Sequence, residues 1–254
     1  MNVAYVVHSG EFTPVLDVML ASLHKHCDCK LVFVAHGMTP LLQQQVRASF
    51  PQLIEFRTLS DAPWVGQRMA RKIWELRDVS FATGDRVFVL DTDLLMQADI
   101  FGGLDGTFDV GLTTRHYDYW YRVNGGVWGF QVNARSRAFL DFFAAEIRQP
   151  TWQPFREFQE SFKQRRPPSA HRSLDWWCDQ DFLCTVLDHR LPFTCTIGDL
   201  GYRYNFCPSV EDDVPGTFEK ARDEILAKLG DPDIKVLHFK GRLKEILARL
   251  RYVV

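Results

Sequence analysis

Short runs of β-branched and aromatic residues alternate with helical periodicity through the first part of the chain. The first run covers residues 3–8 and ends at Ser9-Gly10, and a helical pattern follows through Val15, Met19, Leu20 and Leu23. Residues 31–35 predict a second strand, 40–50 a second helix and 53–56 a third, short strand. A longer helix is predicted over 65–82, carrying Arg68, Arg71 and Lys72, and residues 86–90 read as a fourth strand. This strand-helix order argues for a mainly parallel sheet wrapped by helices, an α/β fold.

The second half is less regular. Strands are predicted over 110–113 and 127–132, and between them lies the aromatic segment His116-Tyr117-Asp118-Tyr119-Trp120-Tyr121, equally suited to packing or to a sugar platform. Residues 134–148 read as a helix with Phe139, Phe142, Phe143 and Ile147 on one face. Residues 149–173 hold four prolines and the basic run Lys163-Gln164-Arg165-Arg166, and read as an excursion or lid. Another helix opens at Asp179-Gln180-Asp181, and residues 236–238 form a last short strand. In the tail, Leu243, Ile246, Leu247, Leu250 and Val254 recur at helical spacing, with Lys244, Arg249 and Arg251 on other faces.

The 254 residues suffice for one large α/β domain, and 46% hydrophobic with 24% charged residues is ordinary for a globular protein. A formal net charge of −2 gives no field that would favour nucleic acid as a partner. No apolar run reaches the roughly 18 residues of a membrane span. The six cysteines lack zinc-finger spacing, and the tight pair Cys27-Asp28-Cys29 fits neither the usual zinc nor the redox pattern. Together with a start that enters a strand without signal-peptide features, this predicts a cytoplasmic protein with reduced thiols.

The chemistry concentrates at Asp91-Thr92-Asp93, directly after the fourth strand. Open α/β sheets bind ligands at the carboxyl edge, and paired carboxylates there suit a hard divalent cation that bridges to phosphate. On pattern alone a solvated turn explains the motif equally well. Four further blocks tip the balance. Asn124-Gly125-Gly126-Val127 places an amide and two glycines just before a predicted strand, where backbone approaches a ligand closely. The others are Asp179-Gln180-Asp181, Arg203-Tyr204-Asn205-Phe206-Cys207-Pro208, and His238-Phe239-Lys240-Gly241-Arg242-Leu243-Lys244.

In content and order these blocks resemble the retaining nucleotide-sugar glycosyltransferases of family 8, relatives of bacterial lipopolysaccharide galactosyl- and glucosyltransferases and of glycogenin. The resemblance spans residues 3 to 244. It implies a GT-A fold in a single domain over 1–254: a nucleotide-binding part (1–105), a sugar- and acceptor-binding part (106–235), and a metal- and phosphate-binding strand with a C-terminal helix (236–254). It implies that Asp91, Asp93 and His238 hold Mn²⁺ or Mg²⁺ against the diphosphate of a UDP-sugar, UDP-galactose or UDP-glucose. Val7, His8 and Ser9 would lie under uracil and ribose, with Thr92, Gly241 and Lys244 at the nucleotide phosphates. Arg68 is assigned to the sugar and Arg71 and Lys72 to phosphate, with the three left as alternatives because the helix is longer than usual. Asn124, Gly125, Gly126 and Asp181 would touch the sugar, and Gln180 and Asp179 would be catalytic. The acceptor would be a glycan, a lipid-linked molecule or a small molecule. Two departures stand out: Lys244 is followed by Glu245-Ile246 where the family often has Pro-Trp, and His8-Ser9 replaces an acidic or small polar residue.

Rival readings are a sugar nucleotidyltransferase, whose Gly-rich basic loop is missing after the first strand, and a non-catalytic carbohydrate- or protein-binding module. The tail helix carries two expectations: an apolar stripe packed on the body, or weak peripheral contact with an anionic inner membrane.

Overall fold

The computed structural model describes residues 1–37, 39–59, 65–116, 122–165, 178–208 and 216–252; the side chains of 65–69, 162–165, 178 and 252 lie outside that description. The first half follows the predicted order: β1 (Asn2–Ser9), α1 (Pro14–His26), β2 (Lys30–His36), α2 (Pro40–Ser49), β3 (Leu53–Leu59), α3 (Val65–Asp78) and β4 (Arg86–Leu90). The third strand is longer than the apolar run at 53–56, and α3 stops short of residue 82. Thr13 and Thr39 cap the first two helices, each with proline in the first turn, a pairing that supplies an acceptor for an orphan N–H and a pre-set φ.

There follow β5 (Leu94–Met96), β6 (Val110–Thr114), β7 (Val123–Gln131), α4 (Ala134–Arg148), α5 (Gln153–Arg165), α6 (Cys178–Asp188), β8 (Ile197–Asp199), α7 (Thr217–Leu226), β9 (Val236–His238) and α8 (Lys244–Arg249). The segment read as an excursion thus carries a helix, α5, and residues 166–177 lie outside the described residues. Of the aromatic segment only His116 is described, and its ring stacks on Phe206 with centroids 4.5 Å apart.

Seven strands form one sheet in the order β3-β2-β1-β4-β7-β6-β8, and only β7 runs against the others. Both faces are covered. Val3, Tyr5, Val87 and Val89 pack towards α3, α4 and α6, while Ala4, Val6, Phe88 and Leu90 pack towards α1 and α2. Coverage on both faces is why these strands read as unbroken apolar runs instead of alternating ones. A second sheet pairs β5 with β9 antiparallel, with Leu94 opposite His238. This pairing brings the end of the chain to the carboxyl edge of β4.

The tail packs on the body. Leu243 and Leu247 are fully buried, Ile246 and Leu250 lie against the same cluster, and α8 contacts α1. The apolar stripe weighed as a membrane face is therefore covered by protein, and Val254 lies outside the described residues. Among the described residues, no helix is long and apolar enough to cross a membrane.

Candidate active site

The backbone assembles the site by short pins. Asp91 N–H donates to Gly126 O at 2.8 Å, tying the end of β4 to β7, and Phe239 N–H donates to Asp93 O at 2.9 Å. On its other side β9 meets the Asn205-Phe206 segment, where His238 N–H donates to Phe206 O at 2.9 Å. Four segments distant in sequence thereby share one edge of the fold. Asn124, Gly125 and Gly126 are not a turn before a strand: they lie inside β7 and are buried. Small residues are needed there because side chains press on the strand. A Cβ on Gly126 would lie 2.2 Å from His238 Cε1 and 2.9 Å from Asp91 Oδ2.

Asp91, Asp93 and His238 form a cluster whose ligand atoms lie within 4.8 Å of one another. His238 Nε2 is 3.1 Å from Asp93 Oδ1 and 3.9 Å from Asp91 Oδ2. The hydrogen-bond chain behind the ring fixes its tautomer. Asn205 donates through Nδ2 to Asn124 O (3.0 Å), a carbonyl that only accepts, and to Thr113 Oγ1 (3.1 Å). Its Oδ1 therefore faces His238 Nδ1 at 2.9 Å, so Nδ1 carries the proton and donates. That leaves Nε2 as a bare lone pair, buried and, among the described residues, without a hydrogen-bond partner, facing two carboxylates.

Three electron-rich atoms turned towards one another, two of them on buried residues, are costly unless a cation lies between them. The donor set fits a divalent ion that accepts both oxygen and imidazole ligands, as Mn²⁺ does. Burial lowers the His238 pKa more than Asp93 raises it, so the ring is neutral near pH 7 and available as a ligand. Burial also disfavours the charged form of Asp93, yet its carboxyl is held well below its usual range. With the ring neutral, the Lys244 ammonium, 3.0 Å from Asp93 Oδ2, is the cation that sustains that charge.

The sequence places Asn205 only within the fourth block, with no role of its own, yet the tautomer depends on it. Asn205→Ala is expected to weaken Mn²⁺ binding about 10- to 100-fold, the usual scale for the group orienting a ligating histidine. Electron paramagnetic resonance of free and bound Mn²⁺ measures this, and an unchanged affinity would contradict the assignment.

The cluster opens on a cleft of about 720 Å³. Thirteen of the expected site residues line it: Val7, His8, Ser9, Asp91, Thr92, Asp93, Gly125, Gly126, Asp179, Gln180, His238, Gly241 and Lys244. Thr13, Val15 and Lys240 line it as well, none of them foreseen as site residues. His8 donates through Nε2 to Glu11 O at 2.8 Å, which fixes the loop after β1. Burial lowers the His8 pKa. Gln180 accepts from Gly125 N–H through Oε1 at 3.3 Å, and among the described residues its buried Nε2 has no hydrogen-bond partner.

Of Arg68, Arg71 and Lys72 on α3, Lys72 is the one that the described side chains bring to the cluster. It is buried and donates to Asp91 Oδ1 at 2.9 Å. Burial works against its charge, but Asp91 and Asp179 outweigh burial and raise its pKa. Asp179 is raised by burial and by Asp91, against the pull of Lys72. Arg71 is half-exposed and outside the cleft lining, because one helical step of about 100° separates it from Lys72. The Arg68 side chain lies outside the described residues. Asn124 and Asp181 are buried behind the lining, so neither faces the cleft as expected for direct sugar contacts. Asn124 instead supports it, accepting from Lys240 Nζ at 3.1 Å.

No protein-family model matches the sequence, and no curated protein matches it. Solved structures do match the fold. Over 98% of the chain it superimposes on the glycosyltransferase GlyE of Streptococcus pneumoniae TIGR4 with a TM-score of 0.55 and 16% identity. The chain spans 60% of GlyE's length. Mouse xyloside xylosyltransferase 1, in its apo form, matches with a TM-score of 0.52 and 12% identity, over 94% of this chain and 98% of that one. The fold is shared with solved glycosyltransferases. It is the expected GT-A arrangement, a mostly parallel sheet whose β4 delivers the Asp-x-Asp step to a ligand edge.

Proposed function

We propose that this protein is a retaining glycosyltransferase of the family 8 kind, moving a hexose from UDP-galactose or UDP-glucose to a hydroxyl acceptor with Mn²⁺ or Mg²⁺. The observation that carries this reading is the bare, buried His238 Nε2 facing Asp91 and Asp93 at the carboxyl end of β4. The shared fold and the order of the five sequence blocks support it. A divalent ion held by Asp91, Asp93 and His238 supplies Lewis-acid neutralisation of the diphosphate leaving group. Acceptors suited to the site are glycans, lipid-linked molecules or small molecules bearing a free hydroxyl.

The chain's own groups then divide the work. The edge formed by Val7, His8 and Ser9 receives uracil and ribose, and Thr92, Gly241 and Lys244 receive phosphate. Lys72 and Asp179, both buried and each favouring the other's charge, lie beside the sugar. Gln180 has its carbonyl oxygen engaged by Gly125 N–H, so the group left for substrate is its NH₂, a donor and not a nucleophile. This favours same-face attack over a covalent intermediate. The acceptor oxygen bonds to the anomeric carbon as the bond to the β-phosphate oxygen breaks, and that oxygen takes the acceptor proton. Lys244 offsets the charge developing on the leaving group.

Gln180→Ala is expected to lower kcat about 100-fold, the scale of losing one donor that strengthens in the transition state. UDP affinity should change by less than about threefold, since Gln180 is assigned to the sugar and not the nucleotide. Equal losses in both would place Gln180 in the architecture. The function itself is tested by a panel of UDP-sugars with Mn²⁺, following UDP release and then the anomeric coupling of the product by NMR. A retained α-configuration is expected. An inverted product, or no UDP release from any donor of the panel, contradicts the proposal.

A further inference from the structure

Three lysines converge on the site, and one differs from the other two. Lys72 pairs with Asp91 and Lys244 with Asp93. Lys240 has a neutral partner: its ammonium donates to Asn124 Oδ1 at 3.1 Å, and among the described residues it makes no ion pair. Its position follows from strand geometry. Lys240 lies two residues beyond His238, with Phe239 between them turned into the core, so His238 and Lys240 share a face. Asn124 Oδ1 also accepts from Gly126 N–H at 3.4 Å, which ties the Lys240 ammonium to the strand beneath the carboxylate-histidine cluster.

A half-buried cation without a counter-charge is unfavourable, and more so beside other cations. Lys240 lines the cleft, where an incoming anion is the available remedy. Charge balance gives the same answer. A divalent ion takes up the charges of Asp91 and Asp93, and the buried Lys72 and Asp179 offset one another. Lys240 and Lys244 are then the two cations left over, against the two negative charges of a nucleoside diphosphate sugar. Their anchors lie on different sides: Lys244 at Asp93, Lys240 at Asn124, whose neighbour Gly125 touches Gln180.

We propose that Lys240 is the second half of a two-lysine clamp, gripping the β-phosphate on the sugar side while Lys244 grips the diphosphate from the Asp93 side. This deepens the proposed function and rests on it.

Isothermal titration of UDP and of UMP, both with Mn²⁺, into the wild type, Lys240→Met and Lys240→Arg tests the clamp. Methionine keeps the length and apolar stem of lysine, so the fold is undisturbed. Lys240→Met should weaken UDP binding about tenfold, the loss expected for a charge-assisted hydrogen bond, and leave UMP within about twofold. Lys240→Arg should recover most of the UDP affinity. A purely structural contact to Asn124 would not change the UDP-to-UMP ratio. Unchanged UDP affinity in Lys240→Met, or equal losses for UDP and UMP, overturns the clamp. So does a loss confined to a UDP-uronate, which would assign Lys240 to a sugar carboxylate. A wild type that binds neither nucleotide contradicts the proposed function as well, whereas a wild type that binds UDP alongside an unaffected Lys240→Met defeats the clamp alone.

Discussion

Asp93→Asn is expected to abolish metal-dependent nucleotide binding while leaving the fold intact. The amide has the same shape as the carboxylate, so the packing around this buried position is kept. What changes is the chemistry of the two oxygens. One carboxylate of the pair is lost to a hard cation, and the new NH₂ donates a hydrogen bond to the His238 lone pair 3.1 Å away, blocking the remaining ligand. Mn²⁺ affinity should fall by at least about a hundredfold, the upper end of what even an indirect ligand change costs. The pH dependence supplies a second readout. The Asp93 carboxyl is held below its ordinary range, so the stability it contributes is complete above the usual carboxylate pKa of about 4. That contribution drains away as the pH falls through the lower folded value, and the Asp93→Asn variant should lack this part of the acid limb. UDP titrations with Mn²⁺ and with EDTA measure the main effect. Identical UDP affinity in wild type and variant would sink the assignment.

Gly126→Ala should damage the same site from below. The new methyl would lie 2.2 Å from His238 Cε1 and 2.7 Å from Nδ1, distances no side chain tolerates. The strand is held at this point, since Gly126 O accepts from Asp91 N–H at 2.8 Å and the next residue, Val127, pairs with Leu90 of β4. The ring must move instead, breaking its bond to Asn205 Oδ1 and losing the lone pair's direction. Overpacking of this kind costs about 1–3 kcal/mol. The expected result is a lower Tm and Mn²⁺ affinity reduced about a hundredfold or more. Wild-type Mn²⁺ binding in this variant would mean the ring is not a ligand.

The fold was legible where one face or both faces of an element decide its pattern. β1, β2 and β4 are apolar at nearly every position because helices cover both sides of the sheet, and Thr13-Pro14 and Thr39-Pro40 announce two helix starts. It was illegible where tertiary contact decides. Asn124-Gly125-Gly126 has the composition of a turn but stands in a strand, where His238 and Asp91 occupy the space that a side chain on Gly126 would fill. The three-residue β5 and β8 exist through their pairing with β9 and β6, and three residues carry no periodicity.

The site shows the same division. Asp91, Asp93 and His238 are chemically conspicuous, and the order of blocks brought them together before any geometry was known. The choice among Arg68, Arg71 and Lys72 turns on the rotation of α3 against β4, which the spacing of apolar residues fixes only loosely. The parts played by Asn205 and Lys240 depend on hydrogen bonds to distant partners, Thr113, Asn124 and His238 for the first and Asn124 for the second, and nothing in their sequence neighbourhood specifies those partners.

A crystal grown with Mn²⁺ and UDP, with data collected at the manganese absorption edge, tests the central claim most directly. The account predicts an anomalous peak within about 2–2.5 Å of Asp91 and Asp93 carboxylate oxygens and of His238 Nε2, in contact with the UDP diphosphate. Bound UDP with no manganese peak between these three residues, or a peak seated elsewhere in the molecule, would contradict it.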